Sequence, residues 1–245
     1  MKNYKMLSRN ALKYIALIAM TIDHTAFLFV APDTPLYFLM RTIGRLTAPI
    51  MCFFIAEGFR HTRNRKKYFS RLALFALISQ PFYFLMIFRR PPENAVEFLM
   101  NWNVMFTFCL SFLVLLISEN KKMKTMTKLI LKLICFAIAD LGDWSYIAPI
   151  WVLLFYKFRE NPKKRNIIYI CLSIFLVVER YAMTLDGLRS SFFQFGILLA
   201  PLLIGMYNGK SGSGTGITKN INRWVFYVYY PLHMAVLVLL NAMIK

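Results

Sequence analysis

Asp23 and His24 stand side by side within an apolar run from Ala11 to Val30, and Arg41 and Arg45 interrupt the next run, Leu36 to Phe59. Each run is long enough to cross a bilayer, and ionisable groups at that depth are costly, so they are rarely present without a role. An imidazole exchanges protons near neutral pH, and a carboxylate orients a neighbouring cation or ring. Guanidiniums hold anions or a developing oxyanion. Two adjacent runs with charges of both signs predict a reaction or transport site inside the membrane. A helix rises about 1.5 Å per residue, so His24 lies roughly 16 Å beyond Lys13, near mid-membrane. Arg41 and Arg45, four residues apart, share a helix face, and Arg45 comes to a similar level from the other side. His233, ten residues past Arg223 in the last apolar run, also reaches mid-depth.

A second group closes the second run: Glu57, Arg60, His61, Arg63, Arg65, Lys66, Lys67 and, just beyond, Arg71. Its cations suit a phosphorylated ligand. The same charges also enforce topology and touch anionic lipid heads. Glu57 is expected to neutralise a neighbouring arginine or to orient Lys13. Asp140 and Asp143, around Leu-Gly, fall at a turn between two short runs, which reads equally as a solvated turn or as part of a substrate site.

The elements that must position these groups follow from composition. The chain of 245 residues is 58% hydrophobic and 17% charged, with mean hydropathy +0.52. A soluble domain carries about a quarter charged residues. The expectation is an all-α polytopic membrane protein forming a single integral membrane domain over residues 1–245. Nine spans are predicted, at 11–31, 36–59, 68–88, 102–118, 126–141, 144–158, 166–180, 191–207 and 222–243. Those starting at 126, 144 and 166 are short, which leaves eight spans or a re-entrant piece open.

The net charge of +19 follows the same pattern. Of the 30 basic residues, 23 fall at the N-terminus and in alternate connections, 5 on the other side, and Arg41 and Arg45 within a span. The positive-inside rule then puts the N-terminus in the cytoplasm and the C-terminus outside. Basic residues alternating with apolar runs do not form the single face that nucleic acid requires. The first run is too long for a signal peptide and is read as an uncleaved span. Cys52, Cys109, Cys135 and Cys171 lie in apolar runs without a CxxC and are expected as reduced core residues. The histidines lack ligand spacing, so no metal is expected. Asn208 to Gly216 reads as a flexible Gly- and Ser-rich loop, and Gly205 to Ser211 falls one residue short of a phosphate loop.

Several segments together carry a resemblance: Met20-Thr-Ile-Asp23-His24, Arg41-Thr-Ile-Gly44-Arg45-Leu-Thr-Ala-Pro49, and Ala56-Glu57-Gly58-Phe59 with Thr62-Arg63-Asn64. Ile78-Ser79-Gln80-Pro81-Phe82, Phe155-Tyr156 and Tyr230-Pro231-Leu232-His233 continue it. The chain resembles the TraX family along nearly its whole length, most densely over residues 13–82. Where that pattern leads one to expect Asp-Tyr-Gly, the chain has Asp140-Leu-Gly and Asp143-Trp-Ser. TraX is known as the protein needed to acetylate the N-terminus of conjugative pilin, and the family is similar to broader membrane acyltransferases. Those carry an Arg ten residues from a His; here the pair is Lys13 and His24, which keeps the charge but not the bidentate fork.

The resemblance implies an acyltransferase in the bacterial cytoplasmic membrane. It takes an acetyl or other acyl group from coenzyme A at the cytoplasmic face. The acceptor is an amine or hydroxyl of a membrane or envelope peptide, glycan or lipid. On this reading His24 is the general base and Asp23 orients it or an arginine. Arg41 and Arg45 face the acyl carbonyl or donor, and His233 is a second acid–base group or acceptor ligand. Lys13, Glu57, Arg60, His61, Arg63 and Arg65 bind the donor. The competing class is a proton-coupled transporter or flippase for an anionic solute or lipid, against which no paired broken helices are read.

Overall fold

The computed structural model describes residues 5–181, 191–212 and 217–244; Lys2, Arg189 and Lys245, counted above for topology, lie outside them. Among the described residues every regular element is helical. Helix α1 spans Arg9–Phe29, α2 Pro35–Gly44, α3 Thr47–His61, α4 Arg65–Phe88, α5 Ala95–Leu99 and α6 Val104–Glu119. Helices α7, Thr125–Ala139, α8, Ile147–Lys157, and α9, Pro162–Tyr181, follow. A 3₁₀ segment, Phe192–Leu199, runs into α10, Ala200–Gly205, and α11 spans Ile217–Ile244. Ser8, Thr34, Asn64, Asn94 and Asn103 cap helix N-termini, each side chain accepting a backbone N–H of the first turn.

Among the described residues four stretches are long and apolar enough to cross a membrane by length and composition: Arg9–Phe29, Pro35–His61, Arg65–Phe88 and Trp224–Ile244. The second is not one helix. After Gly44 the chain turns through Arg45 and Leu46 and restarts at Thr47. Pro49 explains the break, since it has no N–H for the Arg45 carbonyl and its ring crowds that oxygen. The expected 36–59 span is thus one candidate crossing made of two helical segments.

The described residues group into two compact units, Met1–Met51 with Phe158–Tyr229, and Cys52–Lys157 with Tyr230–Lys245. In the first, α1 packs on α2, and α2 on the 3₁₀ segment, which also meets α9 and α10. The Gly196 backbone lies so close to the Thr42 carbonyl that a Cβ would overlap it. Residues 206–211 run beside the start of α1: the Lys210 and Ser211 carbonyls accept the Arg9 and Asn10 N–H groups at 2.8 and 3.2 Å. These are donors that a helix N-terminus otherwise leaves to water. Residues 208–212, read as flexible, are thus hydrogen-bonded in place, while 213–216 lie outside the described residues.

In the second unit α6 packs on α4, α7 and α8. Its N-cap Asn103 donates to the Ala76 carbonyl at 2.7 Å and to Gln80 Oε1 at 2.8 Å. Gln80 in turn donates to the carbonyls of Phe98 and Asn101. Gln80 precedes the end of α4 by eight residues, so α6 begins roughly 12 Å below that end. The shortness of α6 follows from this recess: with 16 residues it covers only about 24 Å of a core roughly 30 Å thick. Cys52, Cys109 and Cys135 are buried as expected, but Cys171 is exposed on α9 and is not a core residue.

Candidate functional site

Within the first unit α1 brings Asp23, and α2 with its C-cap brings Arg41 and Arg45, to one point. Arg41 Nη1 donates to Asp23 Oδ2 at 2.7 Å. Arg45 Nη2 lies 2.7 and 2.6 Å from the two carboxylate oxygens. All three side chains are largely buried, at 6% exposure for Asp23, 14% for Arg41 and 12% for Arg45. One carboxylate holding two guanidiniums leaves the triad with a net charge of +1, in a low-dielectric setting where that charge acts strongly.

The neighbouring residues fit this geometry closely. A Cβ on Gly44 would overlap the Asp23 side chain, so glycine is what lets α2 approach α1 here. The 3₁₀ segment closes the other side. The Phe193 ring lies 5.0 Å from the Arg41 guanidinium and 5.6 Å from that of Arg45, and Gln194 Oε1 accepts Arg45 Nη1 at 3.3 Å. Arg41 also faces the Phe27 and Tyr37 rings at 5.5 and 5.8 Å. Such rings stabilise a partly desolvated cation from the faces its hydrogen bonds leave open. Sequence reasoning missed Phe193 and Gln194; the one signal was an amide within Phe192-Phe-Gln-Phe-Gly-Ile-Leu-Leu.

His24 is half-buried on α1, next to this triad in sequence. The Asp23 carboxylate is engaged with the arginines, so of the two roles read for it, orienting an arginine is the one with geometry behind it. Lys13, also in the first unit, has its ammonium 4.2 Å from the centre of the Phe226 ring. One turn either side, Tyr14 donates to Asn222 at 2.6 Å and the Thr21 and Tyr229 hydroxyls meet at 2.6 Å, so α1 and the start of α11 are joined by polar contacts along this face.

The basic group belongs to the second unit. Glu57 is buried, with His61 Nε2 3.5 Å from its carboxylate. Arg60, His61, Arg63 and Arg65 are exposed at the end of α3 and the start of α4. The Arg65 guanidinium lies 4.1 Å from the Phe59 ring, which is buried against Phe112 and Tyr156. Gly58 lets the Tyr68 ring lie against α3, since a Cβ there would stand 2.7 Å from its hydroxyl. Arg65 is therefore set on a packed aromatic base. His233 is buried in the second unit too, its ring 5.8 Å from that of Tyr230.

The model of the family described as TraX protein matches residues 8–241. A protein named "Probable fimbrial assembly protein FimC, serogroup H1", from Dichelobacter nodosus, is 36% identical over 231 residues, covering 92% of each chain. No solved structure matches. The family match takes in Asp23, His24, Arg41, Arg45, Gln194 and His233 alike, and on it the chain belongs to the TraX family.

Proposed function

We propose that this protein is a membrane-embedded acyltransferase. It moves an acetyl or other acyl group from coenzyme A to an amine or hydroxyl of a membrane or envelope acceptor. The buried Asp23–Arg41–Arg45 triad beside His24 carries the reading. Attack on a thioester builds negative charge on the carbonyl oxygen, and a positively charged, pre-ordered guanidinium pair stabilises it. An imidazole one residue away supplies the general base. The exposed cations of residues 60–65 bind the donor's phosphates. Membership of the TraX family and likeness to a fimbrial assembly protein support an acceptor in the envelope. The chain crosses the bacterial cytoplasmic membrane nine times with its N-terminus inside, and donor binding occurs at the cytoplasmic face.

The decisive experiment incubates purified protein with radiolabelled acetyl coenzyme A and a membrane extract, comparing wild type with His24→Ala. Label reaching an extract component or the protein itself only when His24 is present is the expected result. Transfer unaffected by the substitution removes His24 from the mechanism. No transfer and no stabilisation by acetyl coenzyme A in either protein favours a transporter for an anionic solute. That second reading draws support from the broken α2–α3 helix, because interrupted helices line transport sites.

A further inference from the structure

The 3₁₀ segment Phe192–Leu199 runs for 8 residues, whereas such helices seldom exceed about three or four. Its sequence explains why it does not relax into an α-helix. There the Ile197 carbonyl would accept the N–H of residue 201, but that residue is Pro201, which has none and whose ring crowds the oxygen. The Ile197 carbonyl takes two other donors instead: the Ala200 N–H, one 3₁₀ step on, and the hydroxyl of Tyr169, from α9, at 3.0 Å. Tyr169 and Ile197 are buried, at 0% and 2% exposure. The phenol thus supplies, from outside the segment, the hydrogen bond that the proline withholds.

The 3₁₀ register decides what faces α2. Residues three apart in such a helix stand one above the other. Phe193 and Gly196 are so related, and both meet α2. The Phe193 ring lies over Arg41 and Arg45, and the Gly196 backbone lies against the Thr42 carbonyl. In an α-helix the same step would turn one of them about 60° away from the other. Gln194 and Ile197 are related in the same way. Gln194 Oε1 accepts Arg45 Nη1 at 3.3 Å, and the carbonyl that Tyr169 holds lies one turn beyond it. All these contacts fall within the first unit.

We infer that Tyr169 is a positioning residue for Arg41 and Arg45: its hydroxyl fixes the 3₁₀ register, and the register sets Phe193 and Gln194 on the guanidiniums. The consequence for catalysis rests on the acyl-transfer reading; the consequence for the arginines does not. Tyr169→Phe removes the hydroxyl and keeps the ring, and the detergent-purified full chain is used throughout. Without substrate, phenylglyoxal should modify Arg45 several-fold faster in Tyr169→Phe than in the wild type. Amides of residues 192–199 should exchange hydrogen faster, while those of α8, in the second unit, stay unchanged. With acetyl coenzyme A and a membrane extract, kcat should fall about ten-fold at an unchanged KM for the donor, because the guanidiniums meet the developing charge and not the donor's phosphates. Pro201→Ala returns the missing N–H and frees the segment to become α-helical. It should expose Arg45 to phenylglyoxal as Tyr169→Phe does, and it serves where Tyr169→Phe fails to fold. Unchanged Arg45 modification and exchange in a folded Tyr169→Phe overturn the inference, as does unchanged Arg45 modification in Pro201→Ala. A wild-type kcat in a Tyr169→Phe protein whose Arg45 reacts faster overturns the catalytic consequence. Faster Arg45 modification in Tyr169→Phe, with no acyl transfer by the wild type, leaves the positioning standing and removes the acyl-transfer reading instead.

Discussion

At the scale of single residues, the balance of charge around Asp23 decides most. Two guanidiniums share one carboxylate, so Asp23→Asn leaves both cations buried without their counter-charge. Removing one partner of a buried pair typically costs about 3–5 kcal/mol. A fall of several degrees in the melting temperature of the purified protein checks this, and an unchanged melting temperature contradicts it. Gln194→Ala is milder, about 1.5–3 kcal/mol for one hydrogen bond to a charged donor, and it frees the Arg45 fork to tilt. On the acyl-transfer reading, Gln194→Ala should therefore reduce kcat more than it reduces the melting temperature. The charged members of the triad were legible from sequence because each violates an apolar run. Phe193 and Gln194 were not, because their role depends on a segment about 150 residues away packing against α2.

At the scale of elements, the break between α2 and α3 sets the position of Arg45. Its causes are local and were present in the sequence, Gly44 before the turn and Pro49 after it, yet the run reads as one span because hydropathy does not register them. Gly44→Ala places a methyl where the Asp23 side chain lies. Overpacking of this kind costs about 1–3 kcal/mol, and here it also pushes the carboxylate off the arginines. The expected outcome is a loss of most activity with a smaller fall in stability than in Asp23→Asn. A fully active Gly44→Ala contradicts the fit.

The loop before α6 offers a pH-dependent counterpart. A hydrogen bond from Arg90, then the Glu93 N–H, hold the Glu97 carboxyl below its ordinary range, and Glu97 in turn raises Arg90. A carboxyl lowered in the folded state orders the loop above its ordinary range. That contribution is lost as pH falls through the lowered value. Glu97→Gln should mimic the acid form at neutral pH, measured as faster trypsin cleavage after Arg89. Equal cleavage of the two proteins sinks the clamp. The depth of this connection was hidden from the sequence, because the bonds from Gln80 and Asn103 that draw α6 inward join residues 23 apart in the chain.

At the scale of the whole molecule, charge and helix length make separate demands that topology must reconcile. Basic residues in alternate connections favour nine crossings with the N-terminus inside, whereas among the described residues four stretches are long enough to cross by themselves. The recess in the second unit resolves the conflict for α6, because a helix that starts below the surface needs fewer residues to reach the far side. On the nine-crossing reading α6 counts as a crossing, which puts Glu93 and Lys122, on either side of it, in opposite compartments. In a cysteine-free background carrying Glu93→Cys, a membrane-impermeant maleimide should label intact spheroplasts. Lys122→Cys should react only after the membrane is opened. A reporter fused after Lys245 separates the counts: an odd number of crossings puts it outside, an even number inside. Labelling of both cysteines from one side would mean that α6 does not cross.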